Sequence, residues 1–153
     1  MGTTEGTEGD AVRHYPARAT MGDEDEVRAV NQAFYAAFEA RDLDAMSQVW
    51  EHSDRATCTH PGWAALRGWA QVAASFFALF QNGQELQFIL TEERAEVAGD
   101  TAWVCVDENI LDVQTGTTVA AVNVFVRQPR HGWRMVVHHA SVVSSSAGDA
   151  PNP

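Results

Sequence analysis

Lysine is missing altogether. All ten basic residues of the 153-residue chain are Arg, so no side-chain amine is present for Schiff-base chemistry. Those ten bases face 21 acids, for a formal charge of −11. A field of that sign repels phosphate backbones and argues against a nucleic-acid partner. Cysteine is nearly absent too. Cys58 and Cys105 are too few for a disulfide scaffold, and the expectation is a cytoplasmic domain with reduced thiols. No apolar run approaches the roughly 18 residues of a membrane helix, so no membrane partner is expected. The first residues lack the basic flank and apolar core of a signal peptide.

What is present is the balance of a globular chain, with 45% hydrophobic and 20% charged residues, enough for one domain with a buried core. Residues 1–22 mix Gly, Thr, Glu and Ala without an apolar period and are expected to be a flexible leader. Residues 144–153 (SSSAGDAPNP) are expected to be a flexible tail. The working domain is then 23–143.

Within it the hydrophobic period changes once. Val27, Val30, Phe34 and Phe38 follow an acidic run, Asp23–Glu26, at helical spacing, and Asp23 is a candidate cap. Arg41-Asp42 interrupts the pattern, with Asp42 as a candidate N-cap for a second helix over Leu43–Trp50. Arg55–His60 predicts a short strand ended by Pro61-Gly62. A third helix is expected over Trp69–Phe80, stopped by Asn82-Gly83. From Leu86 the period becomes two. Strands are expected to Val97, then over Trp103–Val113, Thr117–Arg127 and Trp133–Val143, joined by Gly-containing turns as an antiparallel meander. Helices first and a sheet after them mean α+β. A long bent sheet wrapped over helices would leave a cavity.

These pieces are similar to a known family. FYAAFEARDLDAMSQVW from Phe34, CTHPGW from Cys58, LRG from Leu66, GDTAWVCVDEN from Gly99, VNVFVR from Val122 and GWRMVVHHAS from Gly132 resemble, in order and spacing, the nuclear transport factor 2-like superfamily. Within it they resemble the SnoaL-like, ketosteroid-isomerase-like single-domain proteins, over about Glu26–Val143. The resemblance implies a cone-shaped roll: three N-terminal helices packed in a strongly bent antiparallel sheet around a central pocket. It also implies a homodimer through the sheet. Members include isomerases, cyclases, dehydratases, epoxide hydrolases and non-catalytic assembly domains, so the fold does not settle activity.

Candidate site residues follow from chemistry and parity. His60 stands where the ketosteroid isomerases carry their proton-abstracting Asp, and imidazole suits that role. On the last strand, taking Arg134 as solvent-facing puts Trp133, Met135, Val137 and His139 on the opposite face. His139 is thus expected in the pocket and His138 outside. Asp107, Glu108 and Asn109 form a polar triplet in an apolar strand. The resemblance favours Glu108 inside, whereas Asp107 and Asn109 enter if Trp103 faces the core. Asn123 is placed inside by its resemblance to the kinase association-domain branch. Trp63, after His60-Pro61-Gly62, is expected at the mouth. Arg67 could hold a carboxylate, and Tyr35 and Trp50 could line the ligand site. The catalytic set is then His60, His139 and Glu108; Trp63, Asn123, Trp50, Tyr35, Arg67 and Asn109 are ligand-binding candidates. No metal spacing, phosphate loop or dinucleotide fingerprint is present, so no cofactor is expected. The expected partner is a small apolar or carbonyl- or carboxylate-bearing molecule. A valine face (Val122, Val124, Val126, Val136, Val142) would support the dimer.

Overall fold

A computed structural model describes residues 21–82, 85–111 and 116–144. The elements are α1 (Met21–Ala40), α2 (Leu43–Val49), β1 (Thr57–Thr59), β2 (Leu66–Arg67), α3 (Trp69–Gln81), β3 (Gln87–Ala98), β4 (Thr101–Leu111), β5 (Gly116–Gln128) and β6 (Gly132–Val142). The expected leader and tail lie outside the described residues, apart from their inner edges at 21–22 and 144. So does most of the turn expected at Gln114–Gly116.

The first helix begins at Met21, within the expected leader. Asp23 therefore sits inside the first turn rather than capping it, and its carboxylate pairs with Arg127 at 2.9 Å. At the other end the amides of Arg41 and Asp42 bond back to the carbonyls of Phe38 and Ala37. This is a Schellman closure, with Arg41 at φ 52 in the position glycine usually takes. Asp42 then caps α2 as expected, accepting from the Ala45 amide at 3.0 Å.

The six strands form one sheet in the order β2-β1-β6-β5-β4-β3. The meander β3 to β6 is antiparallel, as the turn spacing predicts. The sheet as a whole is mixed, because β1 lies parallel to β6. Three residues of β1 are too few for alternation to report a direction, and its partner is about 80 residues away in sequence.

Two register shifts bend this sheet. In β3, Thr91 pairs Asp107 while Arg94 pairs Cys105, leaving Glu92 and Glu93 opposite Val106. Glu92 adopts φ 55, and Glu93 reaches Arg28 of α1 at 2.7 Å. In β6, Met135 pairs Phe125 and Val137 pairs Val124, so Val136 is an extra residue. A bulge of one residue reverses the face of everything beyond it. Trp133 and Met135 point inward as expected, but past the bulge it is His138 and Ala140 that are buried, and His139 is exposed. The expectation of His139 in the pocket is thus overturned. Val136, expected on the outer face, is buried at the bulge.

Helices and sheet enclose an aromatic core centred on Phe34. Its ring meets Tyr35, Phe38, Trp50, Phe76 and His138 at centroid distances of 4.8–6.4 Å. Four of these partners lie on α1 and α3 or, for Trp50, at the end of α2. The fifth is an imidazole delivered by the bulge.

Candidate functional site

The concave face of the sheet carries polar groups in an otherwise apolar interior. On β4 the alternation Ala102, Val104, Val106, Glu108 faces inward. The outward set is Trp103, Cys105, Asp107 and Asn109. Trp103 is 38% exposed, which resolves the triplet in favour of Glu108. Asn109 instead ties strands together on the outer face. Its amide donates to Ile89 O and Thr91 Oγ1 at 2.9 Å, and its Oδ1 accepts from Thr118 at 2.9 Å. It is not part of the site.

Glu108 is met by Tyr35 from α1, whose hydroxyl donates to Oε1 at 2.6 Å. Asn123 from β5 donates to the Tyr35 oxygen at 3.1 Å and to Asn31 Oδ1 at 2.8 Å. Asn123 Oδ1 lies 2.6 Å from His138 Nδ1. The spacing of Asn31 and Tyr35 puts both on one face of α1. Asn31 is not singled out by the sequence, and His138, expected outside, is instead buried in the network. Asn31 at Val27+4 carries the helical core period, which was the available signal. His138 had none, since its face depends on the bulge.

His60 begins a turn over His60-Pro61-Gly62-Trp63. The Trp63 amide bonds His60 O at 2.9 Å, and Gly62 takes φ 80. Proline second and a left-handed glycine third are what a type II turn requires. The turn sends the His60 ring inward to Ser75 of α3, with Nε2 and Oγ 2.9 Å apart. The Ser75 hydroxyl uses its one hydrogen on Val72 O at 2.7 Å. His60 must therefore donate from Nε2, and its Nδ1 is left bare. Cys58 Sγ lies 3.6–3.9 Å from the ring nitrogens. The His60 and His138 ring centroids are 6.4 Å apart.

Burial governs the charges. It pushes the Glu108 carboxyl up to about 7, against the opposing hydrogen bond from Tyr35. Burial and the nearby Glu108 carry the Tyr35 hydroxyl far above its usual value, so it stays protonated. Burial lowers His60 to about 4. Burial, with His60 and His139 nearby, lowers His138 to about 3. Burial also raises the Cys58 thiol to about 12. Near neutrality both buried imidazoles are uncharged, and Glu108 is the member of the set that titrates.

The remaining candidates divide. Trp63 is 44% exposed and stands edge-on to His60 at 4.9 Å. Arg67 is exposed on β2, where its amide donates to Gln71 Oε1 at 3.2 Å. Trp50 is a core residue packed on Phe34, Trp69 and Phe76. Of three surface clefts of about 410, 330 and 540 Å³, the second is lined by Trp50 with Glu51 and His52, and none is lined by His60, Glu108, Asn123 or His138. Among the described residues, no three His, Cys, Asp or Glu side chains form a set able to hold a metal ion. No helix among the described residues is long and apolar enough to cross a membrane.

An α+β cone with three helices in a curled sheet, and ionisable groups sealed in its concave side, defines the class. The SnoaL-like domain profile matches residues 27–145, and the chain belongs to this family, within the nuclear transport factor 2-like superfamily. A Streptomyces avermitilis protein of that superfamily, whose suggested activity is that of a dehydratase, is similar at 38% identity and TM-score 0.75. That match covers 81% of this chain and 98% of the other. A Thiobacillus denitrificans protein is similar at 39% identity and TM-score 0.67, covering 76% of this chain and 94% of the other. It is described as a candidate association domain of calcium/calmodulin-dependent protein kinase type II. The F-box protein SKIP8 of Arabidopsis thaliana is 32% identical over 116 residues, 75% of this chain. The chain spans about half the length (48%) of that relative.

Proposed function

We propose that this domain takes a small, largely apolar, carbonyl-bearing molecule into the cone. There it acts on the molecule by cofactor-independent acid–base chemistry of the isomerase or lyase type. The observation that carries the reading is Glu108. A carboxyl that titrates near neutrality in an apolar enclosure is matched to proton transfer at working pH. With His60 lowered to about 4, the imidazole is a weaker base than its type suggests, and the main proton-transfer role passes to Glu108. Tyr35, held protonated 2.6 Å from Glu108, is suited to donate to a developing oxyanion. His60 offers a bare Nδ1 as an acceptor. His60, Glu108 and His138 are each at most 3% exposed, so entry requires a side chain to move. Trp63, partly exposed against His60 on its glycine turn, is the one placed to do so.

A dehydration or isomerisation substrate panel tests this in wild type, Glu108→Gln and His60→Ala. The expected result is turnover reduced at least about 100-fold in Glu108→Gln, the scale of a lost acid–base group. Full activity in that folded variant would end the assignment.

The convex face supports a second reading, a dimeric assembly or ligand-binding module. Trp103 and Val122 are 38–40% exposed there, with Val124, the partner of Trp103, half-buried beside them. Val142, expected on this face, pairs with the buried Val119 and turns to the other side past the bulge. An apolar patch of this kind needs cover. A homodimer mass is expected in light scattering, with Val122→Arg shifting it toward monomer. A wild-type monomer mass would count against the face.

A further inference from the structure

The hydrogens of the buried network can be counted one by one. A carbonyl oxygen cannot donate, so at the 2.6 Å contact His138 Nδ1 donates to Asn123 Oδ1. Asn123 Nδ2 has two hydrogens and places them on Asn31 Oδ1 and Tyr35 OH. Tyr35, having accepted, gives its one hydrogen to Glu108 Oε1. Every bond in the chain therefore runs toward an ionised Glu108, and His138 Nε2 is bare. This arrangement leaves a fault. Asn31 is fully buried, and its Nδ2 has no acceptor. An orphaned buried donor of this kind is rare in folded proteins.

Half-turn rotation of the two amides exchanges their oxygen and nitrogen with no change of shape. Asn31 Nδ2 then donates to Asn123 Oδ1, and the fault is removed. Each amide nitrogen has an acceptor, and the atom left over is a carbonyl oxygen, the less demanding group. Tyr35 now donates to Asn123 Oδ1. Its contact with Glu108 survives only if Glu108 carries a proton and donates it. Asn123 Nδ2 now faces His138 Nδ1, which must be bare, so the imidazole proton sits on Nε2. One proton is taken up, on Glu108. The imidazole keeps one proton throughout, on the opposite nitrogen, and every heavy-atom contact is retained.

We propose that Asn123 is a positioning residue that ties the protonation of Glu108 to the ring tautomer of His138. A proton on Glu108 reverses the chain of hydrogen bonds and moves the imidazole proton from Nδ1 to Nε2. His138 thereby turns its Nε2 from an acceptor into a donor. The groups packed around the switch are Tyr35 on α1, Cys58 on β1 with His60 just beyond it, Glu93 on β3, Asn123 on β5 and His139 next to His138 on β6. Glu93 is held by Arg28 at 2.7 Å. The imidazoles of His60 and His138 stay neutral well below neutrality. Glu108, at about 7, is thus the group that throws the switch. The inference rests on the same residues as the proposed chemistry but stands on the hydrogen-bond inventory: a fixed His138 tautomer beside a titrating Glu108 sinks the inference alone, whereas a Glu108 that does not titrate sinks both.

The test is ring-nitrogen NMR on the full chain with ¹⁵N-labelled histidine and ¹³C-labelled glutamate, from about pH 5 to about pH 9. His138 is assigned by loss of signal in His138→Gln, and Glu108 by loss in Glu108→Gln. The expected result is that the protonated and bare nitrogens of His138 exchange identity with the midpoint of the Glu108 carboxyl. In Tyr35→Phe the link is cut: Glu108 still titrates while His138 keeps one tautomer. Should that variant fail to fold, Glu108→Gln serves, with one His138 tautomer expected at every pH. The proposal is overturned if wild-type His138 keeps Nδ1–H while Glu108 titrates, or if Glu108 does not titrate in this range. It is equally overturned if the tautomer still exchanges in either variant.

Discussion

Folding stability is expected to peak near pH 6.5 and to fall steeply on the acid side. The sign follows from three buried groups. His60 and His138 are lowered from 6.5 to about 4 and about 3. Their neutral forms favour the fold above the unfolded value of 6.5, and this is lost as pH falls toward the folded values. Glu108 is raised from 4.5 to about 7. Its contribution is full below the unfolded value of 4.5 and is lost as pH rises through 7. Each group is worth about 1.4 kcal/mol per pH unit inside its window. Between pH 6.5 and 4.5 two histidines work against one carboxyl. The net slope is about 1.4 kcal/mol per unit, or about 3 kcal/mol over the interval. From 6.5 to 7 only Glu108 acts, and the loss is under about 1 kcal/mol. Urea midpoints at fixed protein concentration measure this. His138→Gln should flatten the acid side, and Glu108→Gln should about double its slope. A wild-type profile flat from pH 4.5 to 6.5 would mean that the imidazoles are not held neutral by the fold.

Phe34→Ala should cost about 3–5 kcal/mol, the range for deleting a fully buried aromatic ring. That is a large part of the 5–15 kcal/mol typical of a whole domain. Phe34 is 0% exposed and touches the rings of Tyr35, Phe38, Trp50, Phe76 and His138. No neighbour can fill the space without leaving its own partners. The same cavity removes the apolar wall beside His138, so water entry should bring that imidazole back toward its ordinary pKa. Thermal and urea unfolding check the first effect, and His138 titration by NMR checks the second. A loss below about 1 kcal/mol would show that the core is not centred on this ring.

Much of this arrangement was legible in the sequence. The helical period through Val27, Phe34 and Phe38 gave the buried stripe of α1. Asp42 gave the cap between two helices, and Pro61-Gly62 gave the turn that aims His60 inward. The inward face of β4 required a choice between two parities. The choice of Glu108 rested on family resemblance, and the structure supplies the physical ground by exposing Trp103.

His138 and His139 could not be separated in this way. Parity counted from Arg134 is correct as far as Met135 and then fails, because Val136 is an inserted residue. Val136 and Val137 are both apolar, so the pattern fits a continuous strand as well as a bulged one. Without Gly or Pro at the position, no local signal marks the slip. It appears only when β6 is laid against β5. Asn109 was misplaced for a related reason. An amide in a strand can serve a ligand or tie neighbouring strands together, and only the neighbours, Ile89, Thr91 and Thr118, decide.

By itself the sequence determined the three helices, the short strand at Thr57–Thr59 and the four long strands in their order, but not β2. It also determined the α+β class and the absence of lysine chemistry. These depend on local period, capping and composition. The tertiary structure decided which imidazole is buried, that β1 runs parallel to β6, and that Asn31, Tyr35, Glu108, Asn123 and His138 form one hydrogen-bonded chain. Those facts arise from pairings between residues up to 92 positions apart. A single bulge or register shift changes them while leaving the local pattern the same.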